Sequence, residues 1–424
     1  MKRIFKGKHF FVGASLGVFA VAGYLGLSFI PGETYSSEGG LEALATSSAD
    51  KIVEVKNTDG KSANFQAVAH METPEPLKAI YMTACVAGTP SWRERMAKLV
   101  ETTELNSIII DIKDYSGAIS IETNNPIFKD NVGKGCRVKD MREFVSFLHD
   151  KGIYVIGRIT VFQDPYYTKA HPELAVKKMS NKEVVWKDRK GLSFIDVGAK
   201  PYWDYIVELG KESYDMGFDE LNFDYIRFPS DGDMRDIYFS YGVGKTKAEA
   251  LEEFFIYLND QLKPIGAVLS ADLFGMTATN NDDLNIGQVL ERALPHFDYV
   301  SPMVYPSHYP TGFNGWKNVN AHPYDIVKFS LARAVERTEA TTTAVNFLGA
   351  AIISSGTTTK SVIYAKEPYP RGKIRPWLQD FSYPVTYTPE MVKAQIQATY
   401  DVGLTSWMLW DPANKYTPSI LLKE

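Results

Sequence analysis

From Leu77 onward the chain alternates short apolar runs with stretches whose apolar residues recur every three or four positions. The first pattern is that of strands and the second that of amphipathic helices, so their alternation predicts βα units around a parallel sheet. Eight runs have strand character. They are "AIYMTACV" ending at Val86, "SIIIDIKD" at Asp114, "IYVIGRIT" at Thr160, "ELNFDYIRF" at Phe228, "VLSADLFG" at Gly275, "DYVSPMVYP" at Pro306, "IRPWLQDF" at Phe381 and "SWMLWDP" at Pro412. Helical periodicity predicts helices at Ser91 to Glu104, Lys139 to Lys151, Pro201 to Met216, Ala248 to Leu262, Ile286 to Leu294, Pro323 to Thr338 and Pro389 to Val402. The expected fold class is α/β: a (β/α)8 TIM barrel over residues 77–424, its last strand closing on its first.

Two segments exceed a minimal barrel. Val161 to Lys200 follows the third strand and is expected as a long loop over the C-terminal face, where such loops build sites. Glu339 to Arg371, with the apolar stretch "AVNFLGAAIISSG", reads as an extra hairpin before the seventh strand.

Ahead of the barrel the pattern changes. Lys2, Arg3, Lys6 and Lys8 precede an uncharged run from Phe10 to Ile30. At about 1.5 Å per helical residue this run is long enough to cross a hydrocarbon core of roughly 30 Å. It ends in "SFIPGE" without a small-x-small cleavage pattern, which predicts a signal anchor over residues 1–30 with its basic flank in the cytoplasm. Residues 31–76, rich in Ser, Thr, Glu, Gly and Ala, read as a flexible linker. The chain is thus expected to be a single-pass cell-membrane protein, held by its N-terminal helix with the barrel on the extracytoplasmic side. Cleavage near Ala43 to Ala45, giving a secreted protein, is the alternative.

Composition narrows the partners. A net charge of -5 lacks the basic excess that phosphate tracking needs, so nucleic acid is not an expected partner. Two cysteines, Cys85 and Cys136, rule out a multi-Cys metal site and leave either two thiols or one bridge at the C-terminal face. The seven histidines are scattered without metal-ligand spacing, so no metal or other cofactor is expected.

The fourth strand run carries the chemistry. In "GFDELNFDYIRFPSDG", period-two alternation puts Glu220, Asn222 and Asp224 on one face and Leu221, Phe223 and Tyr225 on the other. The apolar face meets the helices, so the polar face points into the barrel with Asp224 toward its C-terminal end. The same parity sends Asp111 and Lys113 inward on the second strand and Arg158 inward on the third, and places Asp272 near the end of the fifth. Buried charges at neighbouring strand ends require pairing, and such pairing in a cleft shifts pKa values for acid–base work. Asp224 and Asp272 are the candidate catalytic pair. Candidate substrate-binding residues are Asp111, Lys113, Arg158, Asn222, Arg227, Tyr305, His308, Trp377, Trp410 and Asp411. Against this stand plainer readings: a structural Asp224–Arg158 ion pair, a packed turn at Tyr305 and His308, and core roles for Trp186, Trp377 and Trp410.

These residues bring a resemblance with them. "GRITVFQDP", "WKDRKG", "GFDELNFDYIRFPSDG", "SADLFGMT", "SPMVYPSHY", "IRPWLQDF" and "WMLWDP", in this order between Ala79 and Pro412, closely resemble a bacterial glycoside hydrolase barrel family related to the α-amylase-like glycosidases. Only the segment Glu339 to Arg371 looks longer than that family has there. The resemblance implies a fourth-strand carboxylate as nucleophile and a fifth-strand acid as proton donor, here Asp224 and Asp272, although α-amylase-like enzymes carry Glu at the latter position. A polysaccharide or oligosaccharide would be the substrate, cleaved with retention. A chitinase-like D-x-x-D-x-D-x-E run is only approximated, by Asp219, Asn222 and Asp224, and its acid position holds Ile226. The alternative function is a non-catalytic, membrane-tethered glycan-binding barrel.

Overall fold

Eight strands run parallel: β1 (Lys78–Met82), β2 (Ser107–Lys113), β3 (Tyr154–Thr160), β4 (Glu220–Asp224), β5 (Val268–Phe274), β6 (Tyr299–Met303), β7 (Trp377–Gln379) and β8 (Trp407–Trp410). They pair in chain order, and β8 returns to β1 with Lys78 opposite Trp407 and Ile80 opposite Leu409, which closes the barrel. Seven lie within the predicted runs, and β1 begins one residue ahead of its own. The structure is a computed structural model that describes residues 69–422 apart from residue 243 and residues 349–358. The run expected as a signal anchor, Phe10 to Ile30, lies outside the described residues. Among those described, no helix is long and apolar enough to cross a membrane.

Alternation along each strand separates two cores. Outward residues such as Ile108, Ile110, Ile112, Leu221 and Phe223 meet the helices, while Ala79, Tyr81, Ile109, Tyr154, Ile156 and Met408 fill the barrel interior. The outer ring contains α1 (Pro90–Glu101), α2 (Met141–His149), α3 (Lys200–Asp215), α4 (Lys247–Leu262), α5 (Pro323–Glu339) and α6 (Pro389–Asp401). Proline opens α1, α5 and α6, where its fixed φ suits the first turn and its missing N–H leaves no bond unmade. Thr246 and Glu249 form a reciprocal capping box at the start of α4.

Of the predicted elements that are shorter than their patterns, two stop for a visible local reason. The first strand stops at Met82, because Thr83 caps a one-turn helix at Ala84–Ala87 by accepting from the Val86 N–H. The helix expected from Ile286 to Leu294 is the single turn Leu290–Ala293. Leu284, Asn285 and Gly287 all take positive φ, and left-handed residues cannot enter an α-helix.

The excursion after β3 is tied down by Asp164. That carboxylate caps the helix Pro165–Ala170 and accepts from Asn131 and Tyr202. The expected hairpin forms, with Thr342–Leu348 antiparallel to Thr359–Ala365. Cys85 and Cys136 are bridged at a Cα–Cα distance of 4.9 Å, linking the loops that follow β1 and β2. A bridge across 51 residues stabilises by about 4 kcal/mol through the lost freedom of the unfolded chain.

The stretch read as linker reaches the barrel before residue 77. Met71 N–H donates to Asp219 Oδ1 at 2.7 Å, Thr73 and Tyr154 share a hydrogen bond of 2.9 Å, and the His70 ring stacks on Tyr214 at 3.8 Å. These contacts cover the N-terminal end of the barrel, and the described residues belong to one compact unit.

Candidate active site

Arg158 organises the C-terminal mouth. Its guanidinium donates from Nη1 to Asp111 Oδ1 at 2.6 Å, and from Nε (3.2 Å) and Nη2 to Asp224 Oδ2. The ring of Trp410 lies 5.0 Å from it, and Trp410 in turn stacks on Tyr81 at 3.9 Å. Burial opposes the charge on Arg158, but Asp224 and then Asp111 outweigh it and hold the guanidinium well above its ordinary pKa. Asp224 ends β4, and the next residue, Tyr225, sits at φ 51, a costly conformation for an aromatic residue. The Tyr225 N–H donates back to Asp224 Oδ1 at 2.6 Å. A strained residue directly after a strand-end carboxylate is a frequent mark of a working site.

Asp272, on β5, occupies a different environment. Its Oδ1 accepts from Trp377 Nε1 at 2.7 Å and from Asn222 Nδ2 at 2.9 Å, while Oδ2 lies 4.0 Å from Arg158 Nε. Burial first, and the neighbouring Asp224 second, push its carboxyl from 3.8 up to about 8. The environment of Asp272 thus favours its neutral form, beside a carboxylate in an ion pair with Arg158. One barrel mouth holds two acids in unlike settings, the arrangement used by acid–base pairs.

These groups line a cleft of about 240 Å³. Of the residues singled out from the sequence, Asp224, Asp272, Arg158, Arg227, Tyr305, His308 and Trp410 form its wall. Tyr305 meets His308 edge-on at 5.3 Å and Phe381 at 5.5 Å, and burial lowers the pKa of His308. Asp111, Asn222 and Trp377 stand behind this wall, the first on Arg158 and the other two on Asp272.

Lys113 and Asp411 do not reach it. The register between β2 and β3 shifts after Asp111, so that Lys113 falls opposite Ile159, whose face is the outer one. One slipped residue exchanges the faces of a strand. The Lys113 ammonium is fully buried on Asp164 Oδ2 (2.9 Å) and the Thr160 carbonyl (2.8 Å). Asp411 is likewise turned away, accepting from the backbone N–H of Ala413 at 2.7 Å and of Lys415 at 3.3 Å, which fixes the turn after β8.

Four contributors were missed in the sequence. Tyr225, Phe274 and Met303 complete the wall, and Tyr81 donates to Asp111 Oδ2. Parity alone sends Tyr81 inward with Ala79, but an uncharged side chain gives no chemical signal. At the closed end of the barrel, Glu220 pairs with Arg375, which lies 3.5 Å from the ring of Tyr299.

Residues 79–416, from β1 to beyond β8, match the family described as "Putative glycosyl hydrolase domain". The chain belongs to this family. The resemblance noted from the motifs is thereby shown, and the family's enzyme class is the one expected. A search of curated proteins found no match. Among solved structures, the PgaB (BpsB) glycoside hydrolase domain from Bordetella bronchiseptica is similar at 11% identity, over 79% of this chain and 94% of that one, with a TM-score of 0.51. That likeness concerns the fold. A hypothetical protein from Ruminiclostridium thermocellum ATCC 27405 is 35% identical over 46% of this chain and 96% of its own, with a TM-score of 0.42. An α-amylase from Lactobacillus plantarum is 12% identical over 79% of this chain and 70% of its own, with a TM-score of 0.46. In this member of the glycosyl hydrolase domain family, the cleft with its two acids lies at the end of the barrel where TIM-barrel active sites form.

Proposed function

We propose that this chain hydrolyses a glycosidic bond of an extracytoplasmic polysaccharide by a retaining, two-carboxylate mechanism. Asp224 attacks the anomeric carbon while Asp272 gives its proton to the departing glycosidic oxygen. The bond to the leaving sugar breaks as the bond to Asp224 forms, giving a covalent glycosyl-enzyme. Asp272, now ionised, takes a proton from water. The water attacks the anomeric carbon, releases Asp224 and restores both groups. The observation that carries this reading is the unlike setting of the two acids in one cleft: Asp224 is ion-paired with Arg158, while Asp272 is buried on Trp377 and Asn222, where burial and the neighbouring Asp224 raise its pKa.

The location outside the cytoplasm rests on the uncharged run Phe10 to Ile30 and on the Cys85–Cys136 bridge, since disulfides persist in oxidising compartments. With this goes attachment to the membrane through the N-terminal helix.

One observation favours the second reading, a glycan-binding barrel without turnover. Both oxygens of Asp224 already accept hydrogen bonds, Oδ2 from Arg158 and Oδ1 from Tyr225. A screen of the full chain against polysaccharides with reducing-end detection separates the two. Release of reducing ends that disappears in Asp224→Asn supports hydrolysis, whereas binding without release supports the second reading.

A further inference from the structure

Arg227 is the unusual charge in the cleft. Arg158 is neutralised by Asp111 and Asp224, but Arg227, which also lines the cleft, enters no ion pair among the described residues. Its Nη1 holds the Phe228 carbonyl at 3.2 Å and Ser230 Oγ at 3.1 Å. Those bonds fix the guanidinium to its own loop, and the Tyr225 ring lies 5.1 Å from it. The Nε and Nη2 edge has no acceptor among the described residues. This edge is the fork that matches two oxygens of a carboxylate, phosphate or sulfate. Asp188, whose field also reaches Arg227, turns its Oδ1 to the backbone N–H of Lys190 (2.9 Å) and Leu192 (2.8 Å). Arg227 is half-buried and keeps its charge, and desolvation lowers its pKa from the ordinary value, so an anion paired with the free edge would be favoured.

We infer that Arg227 receives an oxyanion on the sugar bound in the cleft, and that the ligand is therefore an acidic glycan. This rests on the cleft being a saccharide site, as proposed above, and deepens that reading by naming the substrate class. Two sources share the chemistry, a sugar carboxylate or a phosphate or sulfate ester, and both fit the fork. General attraction is no substitute for Arg227, because a chain of net charge -5 repels polyanions overall.

The test measures binding of full-length protein carrying Asp224→Asn, so that turnover does not consume the probe. The probes at fixed physiological salt are polygalacturonate, its carboxyl-reduced form, dextran, dextran sulfate and a phosphomannan. We expect one acidic class to bind and the neutral polymers not to. Arg227→Met should weaken that binding roughly 10- to 100-fold, and Arg227→Lys, which keeps charge but not the fork, should fall between. Lys415→Met, at an exposed residue outside the cleft wall, should leave it unchanged. Preference for polygalacturonate identifies a carboxylate, and preference for the esters identifies a phosphate or sulfate. Equal binding of neutral and acidic polymers, indifference to Arg227→Met, or no binding of any acidic polymer overturns the inference. The hydrolase reading is scored separately on the chain with Asp224 intact. Turnover of a neutral glycan alone sinks only the acidic-glycan inference, and acidic binding without turnover sinks only hydrolysis.

Discussion

The indole N–H of Trp377 donates to Oδ1 of Asp272 at 2.7 Å, which, with Asn222 on the same atom, leaves Oδ2 the oxygen without a hydrogen-bond partner among the described residues. The proton that Asp272 keeps up to about pH 8 therefore belongs on Oδ2. Activity should fall on the alkaline side with a midpoint near 8, as the acid is lost above its raised pKa. A pH–rate profile of kcat/KM checks this, and a flat profile between pH 7 and 9 counts against Asp272 as the acid.

The same raised pKa has a stability consequence of defined sign. From pH 4 to about 8 the unfolded chain gives up this proton while the folded chain keeps it, so stability falls as pH rises through that window. Asp272→Asn removes the titration. Denaturant unfolding should show the variant gaining on the parent by on the order of 2 kcal/mol between pH 6 and 8.

Replacing Trp377 by Phe removes a donor that favours the ionised form of Asp272. The alkaline midpoint should then move further up, by up to about one unit. A downward shift would mean that the indole acts on the site by some route other than this bond.

If Asp224 is the nucleophile, Asp224→Ala should lose several orders of magnitude in kcat with its fold intact by circular dichroism. Added azide should restore turnover and yield a glycosyl azide of inverted configuration. Restored turnover with retained configuration would exclude the covalent role.

Lys113 and Asp164 form a fully buried pair. Lys113→Met strands the Asp164 charge and should destabilise the fold by about 3–5 kcal/mol, whereas the double variant Lys113→Met/Asp164→Asn should cost less. Chemical denaturation of the three proteins measures the difference.

A chain starting at Leu77 lacks the Met71–Asp219 and Thr73–Tyr154 bonds and the His70–Tyr214 stack. It should unfold about 2–4 kcal/mol more easily than one starting at Gln66. Equal denaturation midpoints would show that the preceding stretch only rests against the barrel.

The barrel was legible because its strands have two unlike faces, and the period-two alternation of "ELNFD" puts Glu220, Asn222 and Asp224 inside by arithmetic alone. The same arithmetic failed at Lys113, since the register shift after Asp111 leaves no mark in composition. It also overextended the helix before Leu294, where apolar spacing is helical but Asn285 and Gly287 are not. The charged cleft residues announced themselves by being out of place in apolar runs. Tyr81, Phe274 and Met303 did not, because an apolar or aromatic wall looks like core until the backbone is placed around it.

The pairing of β1 with β8 joins residues more than three hundred positions apart. Until Trp407–Trp410 is in place, β1 and β7 are open edges whose N–H and C=O groups have no partners, and such edges invite pairing between chains. A nascent chain stalled or clipped before Trp407 would thus be a sticky, unclosed sheet of seven strands rather than a smaller enzyme. Completion of the last strand is what makes the molecule safe to release.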